Sequence, residues 1–184
     1  MVNRNRDFKL GIIHGKIQPD KEKSEASIQR NLFLHQRIVI KRGKYNECIV
    51  RLFAYEMPLG LKRDECIDLV GYDKDFNLFL IELKSEESKE HLSEVVQQLN
   101  NYEKRVKEIK RSIEKDFKKT FYLHIKFTDI KKAILAPKMF YYGKTLDDDT
   151  IEYLYVKPND VKKFTTNLIE KNRFDNPVVV HNVK

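Results

Sequence analysis

An aspartate, Asp68, and an acid-x-lysine triplet, Glu82-Leu83-Lys84, lie on either side of a polar turn, and no other residues of this chain are so well placed to do chemistry. Ile67-Asp68-Leu69-Val70 and Leu78-Phe79-Leu80-Ile81 are short apolar runs flanking Tyr72-Asp73-Lys74-Asp75-Phe76-Asn77, a pattern that predicts a β-hairpin. Residues two apart on a strand share a face, so Glu82 and Lys84 point one way and Leu83 the other. With the turn centred near Asp75, Asp68 and Glu82 are equally far from it and face each other across the hairpin. Opposed carboxylates repel, and strands this apolar are expected to be covered on both faces, where an uncompensated charge is costly. A divalent cation held by the carboxylate oxygens, together with the Lys84 ammonium, would supply the compensation.

This arrangement resembles the PD-(D/E)XK nuclease superfamily, whose core motif is an Asp at the start of one strand and an acid-x-Lys at the end of its hairpin partner. Ile67 stands here where the motif's name has Pro. Gln98-Leu99-Asn100-Asn101-Tyr102 resembles the Gln-x-x-x-Tyr element of the RecB-like branch, and Glu25, within Ser24-Glu25-Ala26-Ser27-Ile28-Gln29-Arg30-Asn31-Leu32, is similar in position to the family's first-helix glutamate. The resemblance spans roughly residues 24–137. It implies an α/β fold, a restriction-endonuclease-like αβββαβ core with a mixed sheet flanked by helices. It also implies Mg²⁺-dependent hydrolysis of nucleic-acid phosphodiester bonds, with Mn²⁺ as a possible substitute and DNA as the expected substrate. In that scheme Asp68, Glu82 and the backbone carbonyl of Leu83 hold the metal, and Lys84 orients or deprotonates the attacking water and offsets the developing charge. Glu25 steers a second metal or water, while Gln98 and Tyr102 hold the substrate strand. The alternative is a catalytically inactive nuclease-fold module for nucleic-acid binding or complex assembly. Such a module commonly loses one of the three motif residues, and Asp68, Glu82 and Lys84 are all present.

The chain must supply elements that position these groups, and its 184 residues suit a single domain spanning 1–184. With 41% hydrophobic and 35% charged residues and no Trp, the composition is that of a soluble globular protein, not a disordered one. A formal net charge of +8 favours an anionic partner, of which nucleic acid is the most frequent. Cys48 and Cys66 lack the spacing of a zinc site and read as buried thiols. The five histidines show no H-x-x-x-H pair, and there is no Gly-rich phosphate loop or nucleophile elbow. The basic N-terminus is followed by no apolar run of signal-peptide length, and no stretch approaches the ~20 apolar residues that span a bilayer. A reduced, cytoplasmic protein is expected, with no membrane association.

Along the chain, Phe8 to Ile17 reads as a strand or short hairpin, and a helix is predicted from about Ser24 to Gln36. Arg37 to Lys41 and Glu47 to Tyr55 are β-rich and precede the hairpin. Leu92, Val95, Leu99, Tyr102, Val106, Ile109, Ile113 and Phe117 recur at helical spacing and predict one long amphipathic helix over about Lys89 to Lys118. Its other side carries Lys104, Lys107, Arg111, Lys115 and Lys118, which form either a solvated face or a phosphate-tracking stripe. Tyr102 lies on the apolar stripe, so its hydroxyl is either a core anchor or a phosphate contact. Glu56, just before Pro58, competes with Glu25 as third acid. Strands are predicted at Phe121 to Phe127 and Lys132 to Ala136, followed by a C-terminal extension over 151–184 with a strand from Ile151 to Val156 and a helix from Asp160 to Lys171. Pro177 to Val180 would add an edge strand or pair between subunits of a homodimer. Asp73 to Asn77 imitates a calcium loop but has Leu78 where Gly is needed, and reads as a turn.

Overall fold

The computed structural model describes residues 25–59, 66–86, 88–156 and 178–183. The predicted strand at 8–17 and the predicted helix at 160–171 lie outside these. Helix α1 (Glu25–His35) leads into strands β1 (Arg37–Lys41) and β2 (Glu47–Pro58), then β3 (Cys66–Tyr72) and β4 (Leu78–Leu83). Helix α2 (Leu92–Phe121) crosses to β5 (Ile130–Ala136), a short 3₁₀ turn follows at Lys138–Tyr141, and β6 (Ile151–Tyr155) and β7 (Val178–Asn182) complete the described chain.

The expectation of an αβββαβ mixed sheet sandwiched between helices is not met: the seven strands close into a barrel in sequence order, β7 returning to β1. Both the β1–β7 and β6–β7 pairings are intramolecular, so the segment expected to form an edge or an inter-subunit pair instead seals the ring. A ring with an odd number of strands cannot alternate direction throughout. The parallel neighbours are β4–β5, β5–β6 and β7–β1, the first made possible by the α2 crossover. Local pattern reading could not find this closure, because it depends on pairing Ile38–Lys41 with Val178–His181, segments far apart in the sequence.

Every strand contributes to one apolar cluster, including Ile40, Val50, Leu69, Phe79, Ile81, Leu135, Leu154 and Val180, and α1 adds Leu32 and Phe33. Such a cluster is the barrel interior, since a barrel of about eight strands is just wide enough to be filled by side chains. A helix ~10–12 Å across cannot share that space, which leaves α2 outside. There it buries Leu92, Val95, Leu99, Tyr102, Val106, Ile113 and Phe117 against the opposite face of the sheet. The helix ends where Tyr122 turns left-handed at φ 55°, its N–H donating to the Lys118 carbonyl. No helix among the described residues is long and apolar enough to cross a membrane.

The predicted strand at Phe121–Phe127 is absent, and residues 123–129 form an irregular stretch before β5. Ile125 and Phe127 alternate because both pack under α2, with Phe127 5.8 Å from Phe53 in a stacked pair. Both cysteines are only partly buried, and burial pushes the Cys48 thiol up.

The β3–β4 ladder pairs Leu69 with Ile81 and Gly71 with Phe79, the register predicted for a turn centred on Asp75. Asp73 builds that turn: its Oδ1 accepts the N–H groups of Asp75 and Asn77, both at 2.9 Å. Beside it, Gly71 has no room for a side chain, since a Cβ would lie 2.6 Å from Val50 Cγ1 and 2.8 Å from the Arg51 carbonyl oxygen. Gly71→Ala is therefore expected to destabilise the fold by about 1–3 kcal/mol, the usual cost of overpacking. Urea unfolding would show it as a lowered midpoint, and an unchanged midpoint would mean that β2 moves aside freely.

Candidate active site

The chemistry-bearing groups converge where β3 begins and β4 ends. The β3–β4 ladder ends at Leu69↔Ile81, and the β2–β3 ladder pairs Tyr55 with Leu69 and Met57 with Ile67, which leaves Asp68 close enough to feel the charge of Glu56 and to raise Glu82. Three neighbouring strands thus carry an acid at this end of the barrel. Leu83 turns its side chain into the barrel interior, which leaves Glu82 and Lys84 on the α2 side. Leu83 also donates its N–H to Asp68 Oδ2 at 2.7 Å, fixing that carboxylate against β4.

Glu82 and Lys84 are each about 95% buried, and Lys84 Nζ lies 3.1 Å from Glu82 Oε1. The same ammonium reaches Glu90 Oε2 at 2.9 Å. Glu82 Oε2 is buried and has no hydrogen-bond partner among the described residues. A buried carboxylate oxygen with nothing to accept from is costly unless a ligand meets it. Helix α1 approaches from the other side, where Glu25 Oε2 accepts the Ser85 N–H at 3.1 Å and Gln29 donates to the Asp68 carbonyl at 2.7 Å.

These neighbours set the electrostatics. Burial pushes Glu82 up to about 8, the Asp68 charge adding to it and Lys84 opposing. Burial likewise pushes Asp68 up to about 6, against the Leu83 N–H and Lys84, with Glu25 and Glu56 raising it further. Burial works against the Lys84 ammonium too, yet Glu82 and Glu90 outweigh it and hold its proton more tightly than in water. Tyr102 is raised first by burial and then by the Glu82 charge, so its phenol stays neutral.

The residues present fit a hard divalent cation of the magnesium type. Among the described residues no three His, Cys, Asp or Glu side chains group as a metal cage. Mg²⁺ does not need one, because it keeps several waters and is held by one or two carboxylates together with substrate phosphates. Asp68 and the unpartnered Glu82 Oε2 offer such a pair, and the carbonyl of Leu83 is the third expected ligand.

Of the other residues singled out by sequence, Glu25 and Glu56 both stand beside Asp68, so the competition between them has no single winner. Glu56 is held at φ 45°, left-handed and unusual for a non-glycine residue within a strand. Tyr102 donates its hydroxyl to the Cys66 carbonyl at 3.0 Å and accepts from Gln98 Nε2, which makes it a bridge from α2 to the strand carrying Asp68. Lys104, Lys107 and Arg111 are exposed along α2, and Lys107 pairs with Glu103 at 2.6 Å. No contact among the described residues ties those three to Asp68 or Glu82. Sequence reasoning missed Gln29 and Glu90. Gln29 had a signal, being four residues after Glu25 on the same helix face. Glu90 had none, since its link to Lys84 is made only in space.

Comparison of the chain with protein-family models, with curated proteins and with solved structures found no match.

Proposed function

We propose that this chain is a divalent-metal-dependent nuclease that hydrolyses phosphodiester bonds of nucleic acid, DNA being the expected substrate. The observation that carries the reading is the buried Oε2 of Glu82, which has no hydrogen-bond partner among the described residues and lies within the field of a half-buried carboxylate, Asp68, beside a buried lysine. The site also has the Asp and acid-x-Lys signature of PD-(D/E)XK enzymes, here on a closed barrel. Asp68, Glu82 and the Leu83 carbonyl would hold the cation, and a cation bound there supplies a Lewis acid and a more acidic bound water.

The protein's own groups have separate tasks. Lys84 keeps its proton, so it serves as a fixed positive charge that steadies the attacking water and offsets the charge gathering on the phosphorus oxygens. Removing the water's proton is left to other groups. The N–H of Leu83 holds the Asp68 carboxylate in place, and Gln29 fixes the backbone beneath it. Glu25 ties the turn after β4 to α1 and adds negative charge that favours a second cation or an ordered water. Tyr102 and Gln98 place α2 against this end of the barrel, where Gln98 can meet the substrate strand. The net charge of +8 draws the polyanion in.

A second reading, a binding or assembly module, is favoured by one observation: Lys84 already satisfies two carboxylates, as in a structural ion cluster. The pure protein incubated with labelled duplex, single-stranded and branched DNA and with RNA, in Mg²⁺, Mn²⁺ or EDTA, separates the two. Cleavage that depends on metal and vanishes in EDTA is expected; binding without cleavage in every arm would leave the module.

A further inference from the structure

We propose that the cleft beside Tyr102 receives a nucleobase unstacked from the strand being cut, so that the enzyme acts at unpaired nucleotides. The proposal rests on the nuclease reading and names its substrate class. The cleft, about 630 Å³, lies between α2 and the end of β2 at Leu59, and Gln97, Gln98, Asn101 and Tyr102 form its wall. That volume is within the range of small-ligand pockets, ~300–1,000 Å³, and suits a planar heterocycle better than the flank of a duplex.

The chemistry of the wall points to a base and away from a phosphate. Its charged members, Glu94 and Arg105, cancel, and both are engaged by the protein. Glu94 accepts the His91 N–H at 3.1 Å, while Arg105 donates to the Leu59 carbonyl at 2.9 Å and pairs with Glu108. The remaining polar groups are the Ser93 hydroxyl, the Tyr102 phenol and three amides. Gln97 Nε2 donates to Asn101 Oδ1 at 3.2 Å, which leaves the Gln97 oxygen and the Asn101 NH₂ as an acceptor beside a donor. Gln98 Nε2 is spent on the Tyr102 hydroxyl, which leaves its oxygen as a second acceptor. Neutral acceptors repel a phosphate, but an acceptor beside a donor matches the Watson–Crick edge of a nucleobase. That edge is available only when the base is unpaired.

The cleft also adjoins the reacting groups. Tyr102 bonds the carbonyl of Cys66, two residues before Asp68 on β3, and its phenol feels the charges of Glu82 and Asp68. A base seated against Gln97 and Asn101 would therefore belong to a nucleotide close to the phosphate at Asp68 and Glu82.

The test is equilibrium binding in EDTA, so no cleavage intervenes, read by fluorescence anisotropy on the full chain. The probes are a short labelled single strand, an abasic sugar–phosphate strand of the same length, and a blunt duplex. The wild type is expected to hold the base-bearing single strand about tenfold or more tighter than the abasic one. Gln97→Leu and Asn101→Leu, both at exposed positions, should each erode that preference while leaving abasic and duplex binding unchanged. Equal affinity of the wild type for base-bearing and abasic strands overturns the proposal, as does a preference that both variants keep. Because the readout is binding, a base preference without cleavage in Mg²⁺ would remove the nuclease reading and leave the cleft standing, and cleavage without a base preference would do the reverse.

Discussion

Lys84→Ala is expected to slow Mg²⁺-dependent cleavage by on the order of a hundredfold to a thousandfold, the usual loss when one electrostatic or proton-handling group leaves an active site. Lys84 is 95% buried and stays charged, so its positive field is little screened by solvent, and among the described residues it is the cation that acts on both Asp68 and Glu82. The effect should fall on the step in which negative charge develops. Nucleic-acid binding in the ground state should change by less than about tenfold, because the bulk of the electrostatic attraction comes from basic groups elsewhere. Asp68→Asn should be as inactive but should also lose the metal, since a neutral amide is a poorer ligand for a hard cation. Single-turnover cleavage and metal titration of both variants check this. If Lys84→Ala cleaves at the wild-type rate, the role given to this lysine is wrong even for a true nuclease.

Glu82→Gln has the other large expected effect, on metal binding and on the pH profile of stability. In the folded, metal-free protein the Glu82 carboxyl is raised to about 8 from its ordinary 4.5, chiefly by burial, so the folded state binds its proton more tightly than the unfolded state does. The stabilisation from that proton is present at low pH and is lost as pH rises through the interval from 4.5 to about 8. Wild-type protein in EDTA should therefore lose stability across that interval, by on the order of a few kcal/mol. The glutamine variant has no such ionisation and should show a flatter profile, leaving mainly the contribution of Asp68, which ends near pH 6. The wild type is expected to gain melting temperature in Mg²⁺, and the glutamine variant should lose that gain. Thermal melts from pH 5 to 9, with and without Mg²⁺, decide the matter, and parallel profiles in EDTA would refute the burial-driven shift.

What the sequence made legible was local. The hairpin register followed from two apolar runs and one polar turn, and α2 followed from an apolar period sustained from Leu92 to Phe117. The juxtaposition of Asp68 and Glu82 came with the register. Three things lay beyond such reading. Closure of the barrel depends on strands far apart in the chain, and β1 and β7 look like any pair of short Val/Ile runs. The alternation of Ile125 and Phe127 imitates a strand because packing beneath a helix rewards the same spacing as a half-buried ladder does. The supporting shell, with Gln29 under Asp68 and Glu90 against Lys84, is assembled across elements and has no linear motif.

The parallel seam between β1 and β7 has a consequence for how the protein is made. Synthesis delivers β1 early and β7 last of the described strands, and β7 meets β6 at only two register positions, Leu154↔Asn182 and Tyr155↔His181. Until residues 178–182 leave the ribosome, β1 and β6 are open edges with unpaired backbone groups, the kind of surface that recruits strands from other chains. The final seam joins the most distant described segments, so it comes at a high cost in loop closure and forms slowly. A nascent chain stalled just short of Val178 would hold both apolar clusters in outline yet present two adhesive margins, making this strand the one whose arrival converts an aggregation-prone intermediate into a sealed ring.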